Sequence, residues 1–508
     1  MSNKRLTINM SANILAFAVN IGIGFFLTPY IIKTVGSEAY GFVGLANNFV
    51  SYASLITIAL NSMAGRFITI EIHKADNMGA NKYFNSVLLA NTLMAIFLTI
   101  PSILIVLFLN KIINVSSSIY SDVQLLFVFI FLNFIISSVG STFAIATFAR
   151  NRLDISSMRG IESNILRVIL LVGLFYFFKP SISYLGISVF IATVYIFISN
   201  IYYTKKLLPE LKINKRFFDL KAVIELTSSG VWNTIMRLGQ LLLDGLDLLI
   251  TNLFISAAAM GTLAIAKTVP TFIISFVGML AGVFVPAFTI KYAQNNILGL
   301  IKDIKQSMKI MGILVAIPIS MLIAFGDIFY SLWTPTEDAK VLQTLSIITV
   351  STLIISGSIN SIYNVFTVTN KLKTNALWLI STGLINALLV FFLLNTTSWG
   401  LYAVTGVSAA ISILRNLIYT APYGAKYLGS KWTTFFPEIF RSIVSVLVIT
   451  VIGLLLRLVT NIDTWIELFV FGGIGGIIGL VVNYYVVLNK SERKYFSGII
   501  KEKIKRRF

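Results

Sequence analysis

Residues 83–109 read YFNSVLLANTLMAIFLTIPSILIVLFL, a run without a single charged side chain. This length is typical of a helix that crosses the roughly 30 Å hydrocarbon core of a bilayer, for which about 20 residues suffice. A strand of a transmembrane barrel would need only about ten residues of alternating polarity. Because a chain in hydrocarbon must satisfy its own backbone hydrogen bonds, the run predicts a membrane-spanning α-helix.

Similar apolar runs recur from end to end of the chain. Its 508 residues are 57% hydrophobic and only 12% charged, whereas about 25% of the residues in soluble domains are charged. We therefore predict an all-α integral membrane protein with about fourteen transmembrane helices. The predicted spans are residues 7–32, 38–63, 83–109, 122–149, 161–178, 184–204, 223–254, 258–288, 307–331, 340–368, 375–395, 400–422, 435–459 and 465–489.

The distribution of lysine and arginine predicts the orientation of these spans. Roughly thirty basic residues fall on the side of the N-terminus and about five on the other side, and basic residues favour the cytoplasmic side of a membrane. Both termini, including the basic tail at residues 501–507, are therefore predicted to be cytoplasmic. The formal net charge of +20 then reflects short loops beside anionic membrane lipids, and we expect no nucleic acid partner.

Several function classes are excluded by residues that the chain lacks. It contains no cysteine, and its one histidine, His73, lies in a polar stretch. Disulfide frameworks, thiolate metal sites and histidine-based catalysis are therefore not expected. The sequence contains no nucleotide-binding loop and no hydrolase motif. Since the longest polar break is under about twenty residues, too short for a separate catalytic domain, we predict a carrier and not an enzyme.

The arrangement of the spans suggests two similar halves. Sliding the chain against itself by 220 residues aligns Glu38-Ala39-Tyr40-Gly41 with Ala258-Ala259-Met260-Gly261. Two six-helix units have the same orientation and can pack as parallel lobes around a central cavity, which is the geometry of an alternating-access carrier. We predict an N-terminal lobe at residues 1–210, a second lobe at residues 211–430, and helices 13 and 14 with the basic tail at residues 431–508.

Ionisable residues inside the apolar runs are the candidate functional residues. Each costs at least about 2.5 to 3.5 kcal/mol at mid-bilayer unless it faces a partner or a wet cavity. They are Arg167, Arg237, Asp244, Asp247, Lys267 and Arg415, and Arg66 at the end of the second span is added as a candidate.

Two interpretations of these residues remain open. Arg237, Lys267 and an aspartate of span seven could form an internal ion-pair network that holds helices together. Alternatively, the six interior charges, with a balance of about +2, line a hydrated chamber for an anion such as pyrophosphate. The carboxylates Asp244 and Asp247 could also bind sodium or exchange a proton, because neighbouring carboxyl groups raise one another's pKa.

One stretch resembles a known family. Residues 28–41, TPYIIKTVGSEAYG, followed by Arg66, resemble the start of polysaccharide transporters (Wzx-type lipid-linked oligosaccharide flippases) of the multidrug/oligosaccharidyl-lipid/polysaccharide exporter superfamily. The resemblance implies a protein of the bacterial cytoplasmic membrane that moves an undecaprenyl-pyrophosphate-linked glycan to the outer leaflet and works with polysaccharide polymerase machinery. In related peptidoglycan-precursor flippases, a sodium site includes a span-seven carboxylate, which Asp244 and Asp247 match in helix and charge.

Other functions are also compatible with the sequence. A flippase for a teichoic acid precursor would use the same lipid carrier. A cation-coupled multidrug antiporter of the same superfamily is disfavoured by fourteen spans and by the cationic interior. A membrane-bound acyltransferase or polymerase is disfavoured because no span contains a histidine.

Overall fold

The computed structural model describes residues 3–369, 371–488 and 493, and every regular element within these ranges is a helix. The first half contains α1 (Asn3–Val35), α2 (Ser37–His73), α3 (Asn77–Leu107), α4 (Leu109–Ile112), α5 (Tyr120–Ala149), α6 (Leu153–Phe177), α7 (Ser183–Leu207), α8 (Leu220–Gln240) and α9 (Asp247–Phe254). The predicted basic tail at residues 501–507 lies outside the described residues.

The second half contains α10 (Ala257–Gly282), α11 (Val285–Ala293), α12 (Ile297–Trp333), α13 (Ala339–Val368), α14 (Leu372–Thr396), α15 (Leu401–Arg415), α16 (Ala421–Tyr427), α17 (Phe436–Val459) and α18 (Trp465–Val486). Short turns of other helix types lie at Lys215–Phe217 (3₁₀), Leu241–Gly245 (π) and Asn416–Thr420 (π).

The described helices confirm an all-α, multi-pass membrane protein. Thirteen helical segments are long and apolar enough to cross a membrane, and they correspond to thirteen of the fourteen predicted spans. The remaining predicted span, residues 223–254, is the most highly charged one. It consists of α8, a π turn and α9.

The chain forms two compact units, and the first comprises Met1–Ala264 with Leu379–Leu384. Its central contact is the crossing of α2 and α8. A Cβ on Gly230 would lie only 1.9 Å from the backbone oxygen of Ala59, so the two helices touch backbone to backbone. The crossing is fixed by a hydrogen bond of 3.1 Å from Asn233 to the Ser62 hydroxyl.

The loop between α7 and α8 is held against α3 by side chains that bind its backbone. The Asn81 amide donates to the Glu210 carbonyl at 2.9 Å and accepts from the Lys212 backbone N–H at 2.7 Å. The Asn85 amide repeats this pattern one helical turn later, with the Lys212 carbonyl and the Asn214 N–H, both at 2.9 Å. Because both amides are buried, this loop has a defined path.

The end of the same loop is fixed at Asp219. Its backbone N–H donates to the Ser86 hydroxyl at 2.9 Å, and its carboxylate lies 2.6 Å from the Lys82 ammonium. The Lys82 ammonium holds the pKa of the Asp219 carboxyl below its usual range. Asp219 also caps α8 by accepting from the Lys221 N–H, so the same residue anchors the loop and starts the next helix.

The second unit comprises Ile265–Trp378 with Ile385–Phe508. Ion pairs join α12 and α17 near both ends of α17. The Arg457 guanidinium donates to both oxygens of Asp327 at 2.7 and 2.6 Å. Near the other end, the buried Glu438 accepts from Arg441 at 2.5 Å and lies 3.9 Å from Lys309. Helix α17 is therefore an integral part of this unit.

The compact units divide the chain at residues 264 and 265, with α14 contributing residues to both. The predicted lobes divide it at 210 and 430. A contact-based division follows packing, whereas the lobe division concerns which helices move together during transport, so the lobe assignment stays a prediction.

Candidate functional site

The first candidate region is the break in span seven. In a π turn, an extra residue enters the helix and leaves backbone groups without their regular partners. The carbonyl of Gly245, the last residue of the π turn, accepts a hydrogen bond of 2.7 Å from the Tyr52 hydroxyl on α2. A side chain from a neighbouring helix thus takes the place of a helical hydrogen bond, which fixes the break at this position.

The two aspartates of span seven lie on either side of the end of this turn. Asp244 is exposed and accepts a hydrogen bond of 2.6 Å from the Gln240 amide. Asp247 is only 3% exposed and begins α9. In a regular helix, the three-residue spacing would place both carboxylates close to one face. The π turn changes the rotation per residue, so this register does not hold here.

Arg237 lies on α8 midway between Leu220 and Phe254, and its side chain is exposed. It makes no ion pair within the described part of the chain. A guanidinium at the centre of a membrane segment cannot face hydrocarbon without a large cost. The position of Arg237 therefore favours contact with water or with a ligand.

Arg66 and Arg167 belong to the same unit as Arg237. Arg66 is exposed on α2, seven residues before the helix ends at His73, so it lies inside the helix and does not close it. Arg167 lies near the middle of α6, and its Nε has no hydrogen-bond partner within the described residues. None of these three arginines has an ion-pair partner in the described part of the unit.

Arg66 and Arg237 do not lie side by side. Leu226 packs against Leu60 and Ala64, and Tyr52 contacts Gly245, so α2 and the span-seven segment run antiparallel. Arg66 and Arg237 are thus on opposite sides of the crossing at Gly230. At 1.5 Å per residue, seven residues on each side separate them by about 20 Å along the helices.

Lys267 and Arg415 belong to the second unit. Lys267 lies on α10 and is half-buried. Arg415 is the last residue of α15, directly before the second π turn, and is 9% exposed. Each of the two units therefore contains one π turn that lies next to a basic or acidic candidate residue.

Some charged groups of the spans were missed in the sequence analysis. On α6, the Arg159 guanidinium lies 2.5 Å from Glu162 and donates to the Tyr195 hydroxyl on α7, which in turn donates to Glu162. In the second unit, Lys309 and Glu438 form the buried pair described above. The three-residue spacing of Arg159 and Glu162 was visible in the sequence, but the contact with Tyr195 and the pairing of Lys309 with Glu438, both between different helices, were not.

Comparison with known proteins identifies the family. The sequence pattern of the family described as "Polysaccharide biosynthesis protein" matches residues 6–290, more than half of the chain. The chain belongs to this family. It is also 28% identical over 490 residues to "Uncharacterized membrane protein EpsK" of Bacillus subtilis, an alignment that covers 96% of this chain and 97% of EpsK.

This member of the polysaccharide biosynthesis protein family has the same fold as several solved structures. The lipid II flippase MurJ in an inward closed conformation has a TM-score of 0.66 at 14% identity, over 95% of this chain and 100% of MurJ. An inward-facing multidrug resistance MATE family transporter has a TM-score of 0.61 at 14% identity, over 84% of this chain and 97% of the transporter. The fold is that of these solved transporters, and the family match confirms the predicted resemblance to a polysaccharide family.

Proposed function

We propose that this protein flips an undecaprenyl-pyrophosphate-linked oligosaccharide from the cytoplasmic to the outer leaflet of the bacterial cytoplasmic membrane. The observation that carries the proposal is the set of guanidinium groups within membrane helices that have no acidic partner among the described residues: Arg66, Arg167, Arg237 and Arg415. Guanidinium groups bind phosphate oxygens through paired hydrogen bonds, and their charge is permanent. An anionic cargo accounts for unpaired cations at this depth better than a structural role does.

The comparison with MurJ supports a flippase over a drug exporter. The MurJ fold extends over 95% of this chain, whereas the MATE fold extends over 84%. A multidrug antiporter for organic cations would also place unpaired acidic groups, not unpaired arginines, toward its cargo. A teichoic acid precursor has the same lipid carrier and remains a variant of the same proposal.

Energy for transport would come from an ion gradient or from the membrane potential. Asp244 and Asp247 are the proposed sites of sodium or proton coupling, because they flank the end of the π turn in span seven. Polysaccharide polymerase machinery is the proposed recipient of the flipped glycan.

The proposal is tested by complementation of a bacterial strain depleted of its own flippase, with surface polysaccharide as the readout. The intact chain should restore polymer. Arg237→Ala and Lys267→Ala should lower it by about tenfold or more, which corresponds to the loss of about 1.4 kcal/mol of interaction. Lys74→Ala is the matched control, since Lys74 is a surface residue paired with Glu71.

Two results would contradict the proposal. Failure of the intact chain with several different glycans, at normal membrane levels, would exclude the flippase function. Export of ethidium by the purified and reconstituted chain would instead identify a drug exporter.

A further inference from the structure

Two asparagine residues connect the loop after α4 to the end of α9. The Asn114 backbone N–H donates to the Asn252 Oδ1 at 2.8 Å, and the Asn252 Nδ2 donates to the Asn114 carbonyl at 2.9 Å. The Asn114 Nδ2 also donates to the Asn252 carbonyl at 2.9 Å. Three hydrogen bonds thus join a residue of the first predicted lobe to a residue of span seven, 138 positions further along the chain.

This pairing lies at the predicted outer face of the membrane, since the loops after α4 and α9 are both on the side opposite the termini. Asn252 is fully buried, whereas Asn114 is exposed. Asn114 also lines a cleft of about 450 Å³ together with Asn110, Ser116 and Ser256. Because amides and hydroxyls form part of the lining, water can enter the cleft and replace the hydrogen bonds of the pairing when they break. The contact can therefore open and close reversibly.

The two predicted halves of the chain touch at the same face. Gly41 and Gly261 are equivalent positions when the chain is shifted by 220 residues. A Cβ on Gly41 would lie 2.8 Å from the Gly261 Cα, and a Cβ on Gly261 would lie 2.5 Å from the Ser37 carbonyl oxygen. Equivalent residues of two related halves can touch each other only near the axis that relates them. The first residues of α2 and α10 therefore close the space around this axis at the predicted outer face.

The π turn divides span seven into two parts that are held differently. α8 is fixed to α2 by the backbone contact at Gly230, and residues 210–219 before it are bound to α3. α9, after the turn, has only eight residues and carries Asn252 near its end. Helices bend at π turns because the regular backbone hydrogen bonds are interrupted there. α9 can therefore swing about Leu241–Gly245 while α8 stays in place.

We propose that the pairing of Asn114 with Asn252 is a latch that keeps the outer end of the transport pathway closed, and that α9 swings outward when the latch opens. This inference rests on the proposed flippase function and specifies the step that releases the cargo to the outer leaflet. The closed latch also accounts for the boundary of the first compact unit. That unit extends to Ala264 and not to the predicted lobe boundary at residue 210, because these contacts hold span seven against the first predicted lobe.

The first test locks the latch with a disulfide. Because the chain contains no cysteine, Asn114→Cys and Asn252→Cys introduce its only two thiols. Oxidation in proteoliposomes should slow the flipping of a fluorescent undecaprenyl-pyrophosphate oligosaccharide by about tenfold or more, since release of the cargo needs the open state. Dithiothreitol should restore the rate. An unchanged rate in the oxidised pair, with the disulfide verified by mass spectrometry, would overturn the proposal.

The matched control is a disulfide within the first predicted lobe. The Ser163 hydroxyl on α6 donates to the Ala192 carbonyl on α7 at 3.1 Å, so Ser163→Cys with Ala192→Cys joins two helices that are expected to move together. Its oxidation should leave the rate of flipping unchanged. Absence of flipping by the intact chain would contradict the flippase function itself, and the latch is then decided by a measurement that needs no cargo.

That second test measures the opening directly by electron–electron double resonance on the purified chain. Spin labels on Lys179→Cys and Ala258→Cys, both exposed at the predicted outer face, report the distance between the first predicted lobe and the start of α10. Asn252→Ala removes two hydrogen bonds of the latch and should raise the ratio of the longer to the shorter distance by about tenfold. If this variant does not accumulate, Asn114→Ala replaces it and removes one hydrogen bond.

Asn395→Ala is the control for the spin-label measurement. The exposed Asn395 amide donates to the Phe391 carbonyl of its own helix, so its loss should not change the distance distribution. Equal distributions in the latch variant and in this control would overturn the proposal.

Discussion

At the scale of single residues, the first unit depends on positions where a side chain is absent. Gly230 lets α8 touch the backbone of α2, and this contact positions the segment that carries Arg237 and the π turn. Gly261 plays a comparable role, since a Cβ there would lie 2.5 Å from the Ser37 carbonyl oxygen. Close approaches of this kind are typical of helices that pack in membranes.

Gly230→Ala should therefore destabilise the protein. The added methyl group has no space beside Ala59, and overpacking of this kind costs about 1–3 kcal/mol or more. Thermal unfolding of the purified protein in detergent should show a lower midpoint for this variant. Gly160→Ala is the control, because a Cβ there meets no atom within 4 Å. Unchanged unfolding of Gly230→Ala would contradict the described crossing.

The residue scale also shows what the sequence could predict. A charge in a long apolar run is conspicuous. For this reason the sequence alone singled out the candidates Arg167, Arg237, Lys267 and Arg415. The buried pair of Lys309 and Glu438 was not, since the two residues are 129 positions apart and each lies near the end of an apolar run. The sequence shows that a charged residue lies within an apolar run, but it does not show which residue of another helix pairs with it.

At the scale of elements, the loop between α7 and α8 is the connection whose structure was least predictable. Composition marked it as a long polar break, which is typical of a flexible linker. Its backbone is instead bound by Asn81, Asn85 and Ser86 of α3. Asn85 and Ser86 lie inside the predicted span 83–109 and Asn81 lies just before it. Nothing in the sequence indicated that these side chains bind a distant loop.

Asn85→Ala should release this loop. The substitution leaves the Asn214 N–H and the Lys212 carbonyl without their partner, which costs about 1–3 kcal/mol. Hydrogen exchange in residues 210–219 should accelerate by about tenfold or more. Asn47→Ala is the control, because the exposed Asn47 amide bonds to the Val43 carbonyl of its own helix. Equal exchange in the two variants would show that Asn85 does not hold the loop.

The π turns are also features of the element scale. Both occur inside predicted spans, at Leu241–Gly245 and Asn416–Thr420. Hydrophobic periodicity over so few residues does not distinguish a π turn from regular helix. For this reason the sequence predicted spans seven and twelve as continuous, and the different environments of Asp244 and Asp247 followed only from the structure.

At the scale of the whole molecule, the number of spans and the helical class were predictable because lipid imposes a simple rule on length and polarity. Thirteen predicted spans correspond to membrane-length helices, and the fourteenth is the broken, charged segment. The family was recognisable from residues 28–41 with Arg66, and the match over residues 6–290 confirms it. Packing decides which helices form each compact unit, and composition carries little information about packing.

The proposed movement of a lipid-linked glycan across the membrane can be measured as transport in proteoliposomes. The purified chain would be reconstituted with a fluorescent undecaprenyl-pyrophosphate oligosaccharide, and the label in the outer leaflet would be quenched or cleaved over time. We expect the accessible fraction to rise above that of protein-free vesicles. Arg237→Ala should slow the rise by about tenfold, which corresponds to a loss of about 1.4 kcal/mol. Equal accessibility with and without the intact protein, under an imposed ion gradient and membrane potential, would contradict the proposed movement.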